Sequence, residues 1–139
     1  MRGKLFNKTG EKMEGKKADA LLKEFKKKFV VEDCNHNLLQ GNRSKLIWCN
    51  LLSGFQAIST EDVQCLQIPS RQKVYYYGER DNEMFETTFS EVCNFIKELE
   101  PWDEIDSEIF DDSFTWFIAI THEDVSLVYG IESFNSVCK

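Results

Sequence analysis

Residues 114–131, FTWFIAITHEDVSLVYGI, decide the fold, because they join two apolar runs through one short polar turn. Residues 114–121 are largely apolar at both alternating sets of positions, which is typical of a central strand. Residues 125–131 place Val, Leu, Tyr and Ile at every second position, as in a strand that packs on one face. The pattern predicts an antiparallel hairpin that turns at His122-Glu123-Asp124.

Outward from this hairpin, the periodicity predicts an α+β domain over residues 16–139 that follows a flexible basic arm over residues 1–15. We expect an antiparallel sheet of about four strands packed against two main helices, with strands at 45–51, 73–78, 114–121 and 125–131 and helices at 16–30 and 88–100. Two apolar patterns mark these helices: the stripe Ala18, Leu21, Leu22, Phe25, Phe29, and the run after the Thr88/Glu91 capping box.

Two shorter stretches are more ambiguous. The run Ser59-Thr60-Glu61-Asp62 is typical of a helix start, yet the residues after it, 63–68, fit a strand almost as well. The acid-rich stretch 102–113, WDEIDSEIFDDS, predicts an edge strand or a loop whose charge deters pairing with other chains.

The charge of the chain is strongly polarised along its 139 residues. Residues 1–30 carry ten Lys/Arg against four Asp/Glu, whereas residues 79–124 carry two against fifteen, within a net charge of −7. Dense acid repels nucleic acid and attracts a basic partner. We therefore expect a basic protein partner and no nucleic acid, although acid can also serve solubility alone.

The chain has no membrane or secretion signal that the sequence reveals. No run approaches the roughly 18 apolar residues of a membrane span, and the first residues lack the apolar core of a signal peptide. The five cysteines are odd in number, widely spaced and without a CxxC pair. We expect reduced thiols that fill the core, a cytoplasmic location and no membrane contact.

The polar tip of the hairpin is the first candidate for chemistry. His122, Glu123 and Asp124 could bind a divalent metal or act in acid–base catalysis. A metal needs three or four converging ligands, whereas adjacent side chains at a hairpin tip diverge, and the other histidine, His36, lies in a polar stretch. The preferred interpretation is a turn that contributes to an interaction surface, and a small metal-dependent enzyme at this tip is the alternative.

The acid-rich segment before the hairpin is the stronger candidate for function. Its carboxylates look uniformly solvated, unlike the paired acids of glycoside chemistry, of which one lies against an apolar wall. An aromatic residue among these acids, Trp102, resembles the anchor of a binding hot spot. The predicted partner-binding residues are Trp102, Asp103, Glu104, Asp106, Glu108, Asp111, Asp112, His122, Glu123 and Asp124.

We predict no catalytic residue, metal or cofactor. Two histidines and no nucleophile elbow leave no Ser/His/Asp or Cys/His arrangement, and the seven glycines are too isolated for a phosphate loop.

The tail carries a resemblance to a class of bacterial proteins. The run WFIAITHEDVSLVYG, preceded by IFDDS and by a helix that ends in ELEPWDE, resembles the C-terminal half of small uncharacterised bacterial domain proteins. In size and acidity, over residues 73–131, it is similar to immunity proteins of polymorphic toxin systems. The resemblance implies stoichiometric binding of a toxin rather than catalysis, and it transfers no site residue. A further hypothesis is a regulatory or structural module that dimerises through a sheet face or the first helix.

Overall fold

The computed structural model of the protein describes residues 11–30, 51, 54–80, 82–100, 103 and 105–131. The predicted strand 45–51, apart from Leu51, lies outside these residues, as do residues 1–10 of the predicted arm, Trp102 and Glu104. The described elements, in chain order, are β1 (Glu11–Met13), α1 (Lys16–Phe29), β2 (Gln56–Ser59), a 3₁₀ helix (Thr60–Cys65), β3 (Lys73–Gly78), β4 (Glu83–Thr88), α2 (Phe89–Lys97), β5 (Ser107–Phe110), β6 (Phe117–Ile120) and β7 (Val125–Tyr129).

The strands form one antiparallel sheet of seven strands in the order β1-β4-β3-β5-β6-β7-β2. The α+β class, the antiparallel pairing and two main helices are confirmed, whereas the predicted number of about four strands is too low. The central hairpin is confirmed, with Phe117 opposite Tyr129 and Ile120 opposite Ser126. The extra strands are β1, β2, β4 and β5, whose sequences mix polar and charged residues with few apolar ones, so no clear strand periodicity marks them.

The prediction of an edge strand or loop for the acid-rich segment is wrong for its second half. Strand β5 lies between β3 and β6 in the middle of the sheet, and all four of its residues are buried. Its two apolar residues explain this position, because Ile109 packs in the core on one face and Phe110 in the core on the other. Burial of both faces outweighs the local density of charge.

Helix α1 covers one face of the sheet with its predicted apolar stripe. Phe25 and Phe29 are buried, and Ala18, Leu21 and Leu22 pack around the same cluster. The Phe25 ring centroid lies 4.7 Å from that of Phe110 and 5.9 Å from that of Phe117. Aromatic pairs at these distances add to the burial of apolar area, so α1 is fixed over β5 and β6.

Helix α2 and the 3₁₀ helix cover the other face. The Thr88 hydroxyl accepts a hydrogen bond from the Glu91 amide at 3.4 Å, which confirms the predicted start of α2. The helix ends at Lys97 rather than residue 100, because the amides of Glu98 and Leu99 bond the carbonyls of Phe95 and Ile96 three residues back. Residues 60–65 are helical, as one of the two interpretations predicted, but in the tighter 3₁₀ form.

Phe114 and residues 11–13 depart from the predicted pattern. Phe114 was expected on the same face as Ile118, but it has a φ of 53° and packs against Phe110 on the α1 side. The left-handed backbone at Phe114 breaks the alternation before β6 begins. Residues 11–13, expected in the arm, form the edge strand β1 on β4.

The cysteines depart from the expectation of reduced thiols. Cys93 is free, whereas Cys65 is disulfide-bonded. Its partner lies outside the described residues, since Cys93 is the only other described cysteine. In the described part of the chain, neither helix combines the length and apolarity that crossing a membrane requires.

Candidate functional site

The topology gathers acidic side chains at one end of the sheet. Strand β5 begins where β6 ends, with Ser107 opposite Ile120, and α2 runs towards the same end. We call this the acidic end, and its described members are Glu61, Glu98, Glu100, Asp103, Glu123 and Asp124. All of them are exposed except Asp103, which is half-buried.

Asp106 joins these segments from the start of β5. Its side chain is fully buried; one carboxylate oxygen accepts the Arg80 Nε–H at 2.8 Å, and the other accepts from the His122 amide at 3.2 Å. His122 Nδ1 lies 2.8 Å from that second oxygen. Because an ionised carboxylate only accepts, Nδ1 carries the proton and donates it. Asp106 therefore ties the β6–β7 turn and the β3–β4 turn to β5.

The turn after β6 is held by its own hydroxyl. The Thr121 hydroxyl donates to the Val125 carbonyl at 2.7 Å and accepts from the Glu123 amide at 3.1 Å. Asp124 has a φ of 63°, a backbone conformation that Asp tolerates better than most residues. Glu123 and Asp124 therefore project from a fixed turn as exposed carboxylates, in agreement with the predicted turn.

Glu108 is the least expected residue of the site. It is 0% exposed on the α1 side of β5, directly opposite Tyr77 of β3 and Ala119 of β6. No donor among the described residues bonds either of its carboxyl oxygens. A buried carboxylate in this situation is strongly disfavoured, and it takes up a proton instead.

The surroundings of Glu108 raise its pKa well above the ordinary value. Burial is the largest cause, followed by the nearby Glu79 carboxyl and the charge of Asp106, while Lys26 of α1 acts in the opposite direction. Two ionised carboxylates cannot bond each other, since both only accept. Protonation of Glu108 removes its buried charge and turns its carboxyl into a possible donor.

Tyr77 completes this buried group. Its hydroxyl donates to Asn82 Oδ1 at 2.6 Å. Burial, reinforced by the charges of Glu108 and Glu79, raises the pKa of Tyr77 to about 12. The Tyr77 hydroxyl of the folded protein therefore stays neutral at ordinary pH.

The predicted partner-binding residues do not form one surface. Asp103, His122, Glu123 and Asp124 lie at the acidic end, while Trp102 and Glu104 are outside the described residues. Asp106, Glu108 and Asp111 are 1%, 0% and 7% exposed, so the expectation of a uniformly solvated acid run is wrong. Asp111 and Asp112 follow β5 at the opposite end of the sheet. The reason is that β5 is a central strand with both faces covered, so the acids within it and beside its ends are enclosed.

A cleft of about 580 Å³ opens at the acidic end. Three carboxylate residues from three different segments line it: Glu61 of the 3₁₀ helix, Glu100 after α2 and Asp124 of the turn. Ile96 and Leu99 add apolar wall, and Lys97 is the one basic residue that lines it. The Asp103 carboxylate accepts from the Glu100 amide at 2.8 Å and thereby fixes that segment. We call this cleft the acidic cleft.

Several residues of this site were not predictable from local sequence patterns. Local patterns place Glu61 in a helix start, Glu100 at the end of a helix and Tyr77 in a strand, and they indicate no role for Glu79 or Arg80. Their convergence depends on strand order, which periodicity does not contain. One sequence signal did indicate this arrangement. Asp106 and Glu108 alternate with Ile105, Ser107 and Ile109, so the two acids face the opposite side of the strand from these three residues.

The site gives no support to a metal centre at the hairpin tip. In the described ranges, no group of three or more His, Cys, Asp or Glu side chains is arranged to hold a metal ion. His122 turns Nδ1 to Asp106, and such a pair fixes the tautomer and orientation of the ring.

Comparison of the chain with protein-family models, with curated proteins and with solved structures finds no match. The interpretation of the site therefore depends on its geometry and charge.

Proposed function

We propose that this protein is a non-enzymatic binding protein that holds a basic protein partner at its acidic end. The observation that carries the proposal is the convergence of Glu61, Glu100 and Asp124 on one cleft that also offers apolar wall. A basic side chain entering this cleft meets carboxylates from three segments, and its methylene stem meets Ile96 and Leu99.

Charge and apolar area contribute differently to such binding. The exposed carboxylates of the acidic end steer a basic partner and raise the association rate. Buried contacts set the dissociation rate, and Trp102 is the proposed aromatic anchor because it lies in the chain between Glu100 and Asp103. We include Glu104 with Asp103, His122, Glu123 and Asp124 in the binding surface and exclude the buried Asp106 and Glu108.

Neutralisation of a toxin is the specific form of this function that we propose. An immunity protein acts by stoichiometric binding, which requires a complementary surface and no catalytic group. An acidic surface suits toxins that present a basic face. A cytoplasmic location is part of this proposal. The Cys65 disulfide argues against that location, because disulfides are rare in the cytoplasm.

The two alternatives have less support. A metal-dependent enzyme centred on His122, Glu123 and Asp124 lacks a described ligand set, as shown above. A dimer through a sheet face would need an open face, whereas the two core clusters place α1 on one face of the described strands and α2 with the 3₁₀ helix on the other.

The test is a paired capture experiment in lysate of the source organism. One bait is the wild-type protein, and the other carries Glu61→Gln, Glu100→Gln and Asp124→Asn. A control bait carries Glu11→Gln, Glu14→Gln and Glu24→Gln, three exposed acids on β1, α1 and the residues between them. All substitutions keep side-chain size, and both triple variants change the net charge equally.

We expect a basic protein on the wild-type and control baits that is depleted from the acidic-cleft bait and released by salt. An acidic partner, equal retention on all three baits, or no partner at all would contradict the proposal.

A further inference from the structure

A second cleft, of about 390 Å³, opens at the opposite end of strands β6 and β7 from the acidic end. Asp111 lies in it just after β5, Trp116 just before β6 and Gly130 just after β7, while Gln67, Pro69 and Gln72 line it from the loop before β3. We call it the Trp116 cleft. It shares no lining residue with the acidic cleft.

Asp111 gives the Trp116 cleft its charge. The residue is only 7% exposed, yet it lines the cleft. One carboxylate oxygen accepts from Gln72 Nε2 at 2.9 Å, and the other accepts from the amide of Ser113 at 3.0 Å and from its hydroxyl. A carboxylate has about four acceptor positions, so one remains on the oxygen that bonds Gln72.

No lysine or arginine of the described residues forms an ion pair with Asp111. A nearly buried carboxylate is stabilised by a cation, and here the neutral amide and hydroxyl donors supply hydrogen bonds without compensating charge. The Trp116 cleft therefore presents a fixed negative charge to whatever enters it.

The other lining residues favour a flat cation with several donors. Trp116 provides an indole ring, the aromatic surface that attracts cations most strongly. Gln67 and Gln72 carry amide oxygens that accept hydrogen bonds, and Gln72 is oriented by its donation to Asp111. Pro69 adds apolar wall for a methylene stem. A guanidinium group has five donors in one plane and stacks on aromatic rings, which an ammonium does not match.

Gly130, at the rim of the cleft, allows the backbone that positions Trp116 to pass close by. A Cβ on Gly130 would lie 2.3 Å from the Thr115 carbonyl oxygen and 3.0 Å from the Cβ of Trp116. Any side chain there would displace the residues that position the indole.

We propose that the Trp116 cleft binds the guanidinium group of an arginine side chain, presented by a peptide or protein. Asp111 supplies the countercharge, Trp116 the stacking surface, and Gln67 and Gln72 the further acceptors. The site is independent of the proposed function, because it lies at the other end of the sheet. It can be tested with an arginine compound alone, without the basic partner.

The test is a titration of the full chain with N-acetyl-arginine amide, followed by NMR at the Trp116 indole N–H. Trp116→Phe assigns that signal. Two probes are compared with it: N-acetyl-citrulline amide, which has nearly the same shape without charge, and N-acetyl-lysine amide, which has the charge without the plane. We expect the arginine compound to bind with a dissociation constant on the order of 1 mM, the lysine compound several-fold more weakly, and the citrulline compound not measurably.

Variants separate the charge from its surroundings. We expect Asp111→Asn to weaken arginine binding at least about tenfold, and the exposed neighbour Asp112→Asn to leave it unchanged. Should Asp111→Asn fail to fold, the exposed Gln67→Ala is expected to weaken binding about two- to fivefold without affecting the core. Absence of binding, equal binding of arginine and citrulline compounds, or equal affinity for lysine would overturn the proposal.

Discussion

Replacing Glu108 by glutamine should remove the pH dependence of stability that this residue imposes. Its folded pKa is raised above the ordinary value of 4.5, so the native state holds a proton that the unfolded chain releases. Stability linked to Glu108 is therefore fully present below pH 4.5 and is lost as pH rises towards the folded pKa. This direction is opposite to that of a carboxylate in a salt bridge.

The magnitude follows from one proton. Over this window the free energy of unfolding falls by about 1.4 kcal/mol per pH unit for as long as Glu108 stays protonated in the native state. Glutamine keeps the shape of protonated glutamate, and it does not titrate. The difference in unfolding free energy between Glu108→Gln and wild type should therefore grow by about 1.4 kcal/mol per pH unit above 4.5, in favour of the variant.

Chemical denaturation from pH 4 to pH 8 measures this difference. Glu24→Gln, an exposed acid on α1, is the matched control and should run parallel to wild type. The reasoning is refuted if Glu108→Gln also runs parallel to wild type throughout this pH range.

Three further predictions concern the rest of the fold. Gly130→Ala should lower the free energy of unfolding by at least about 2 kcal/mol more than Gly15→Ala, as measured by chemical denaturation. Both glycines have positive φ, but only a Cβ at Gly130 would collide with backbone atoms, so equal losses would contradict this collision. Phe25→Ala should lower the free energy of unfolding by about 3–5 kcal/mol through the cavity that it leaves beside Phe110, whereas substitution of the exposed Lys28 by alanine should change it little. A similarly small loss for both variants would show that α1 does not pack as described. Burial raises the pKa of the Cys93 thiol from 9.0 to about 11, so its alkylation at pH 8 should be about a hundredfold slower in the folded than in the unfolded chain. Mass spectrometry follows the alkylation, and equal rates in the two states would contradict the raised pKa.

Long, strongly periodic segments were predictable from the sequence. The stripe of α1, the strand 73–78, the Thr88 cap of α2 and the central hairpin all lie where local patterns place them. Each of these patterns extends over at least five residues or contains a cap whose chemistry is local. Their faces were also predictable, because Ile118 and Phe117 pack on opposite sides of β6 as alternation requires.

Strand order and short strands were not predictable. Strand β5 has four residues and carries an acid, so its local pattern resembles an exposed edge although the sheet encloses it. The burial of Glu108 depends on Tyr77, Ala119 and α1, which approach from distant parts of the chain. Local charge density therefore suggested a solvated surface where the fold makes a protonated interior.

The candidate site shows the same division. Its turn residues His122, Glu123 and Asp124 were predictable from the hairpin, and so was an acidic surface near them. The partners that complete the acidic cleft, Glu61 and Glu100, come from segments joined only by the topology. The disulfide at Cys65 was likewise not predictable, since the spacing of five cysteines does not define a pairing.

The most direct test of the central claim is the dissociation constant of the captured basic partner, measured between about 50 and 200 mM salt. The wild-type protein should bind more weakly as salt rises. The variant Glu61→Gln, Glu100→Gln, Asp124→Asn should bind at least about tenfold more weakly at low salt and with a shallower salt dependence. Identical constants and identical salt dependence for the two proteins would contradict the claim that the acidic end is the binding surface.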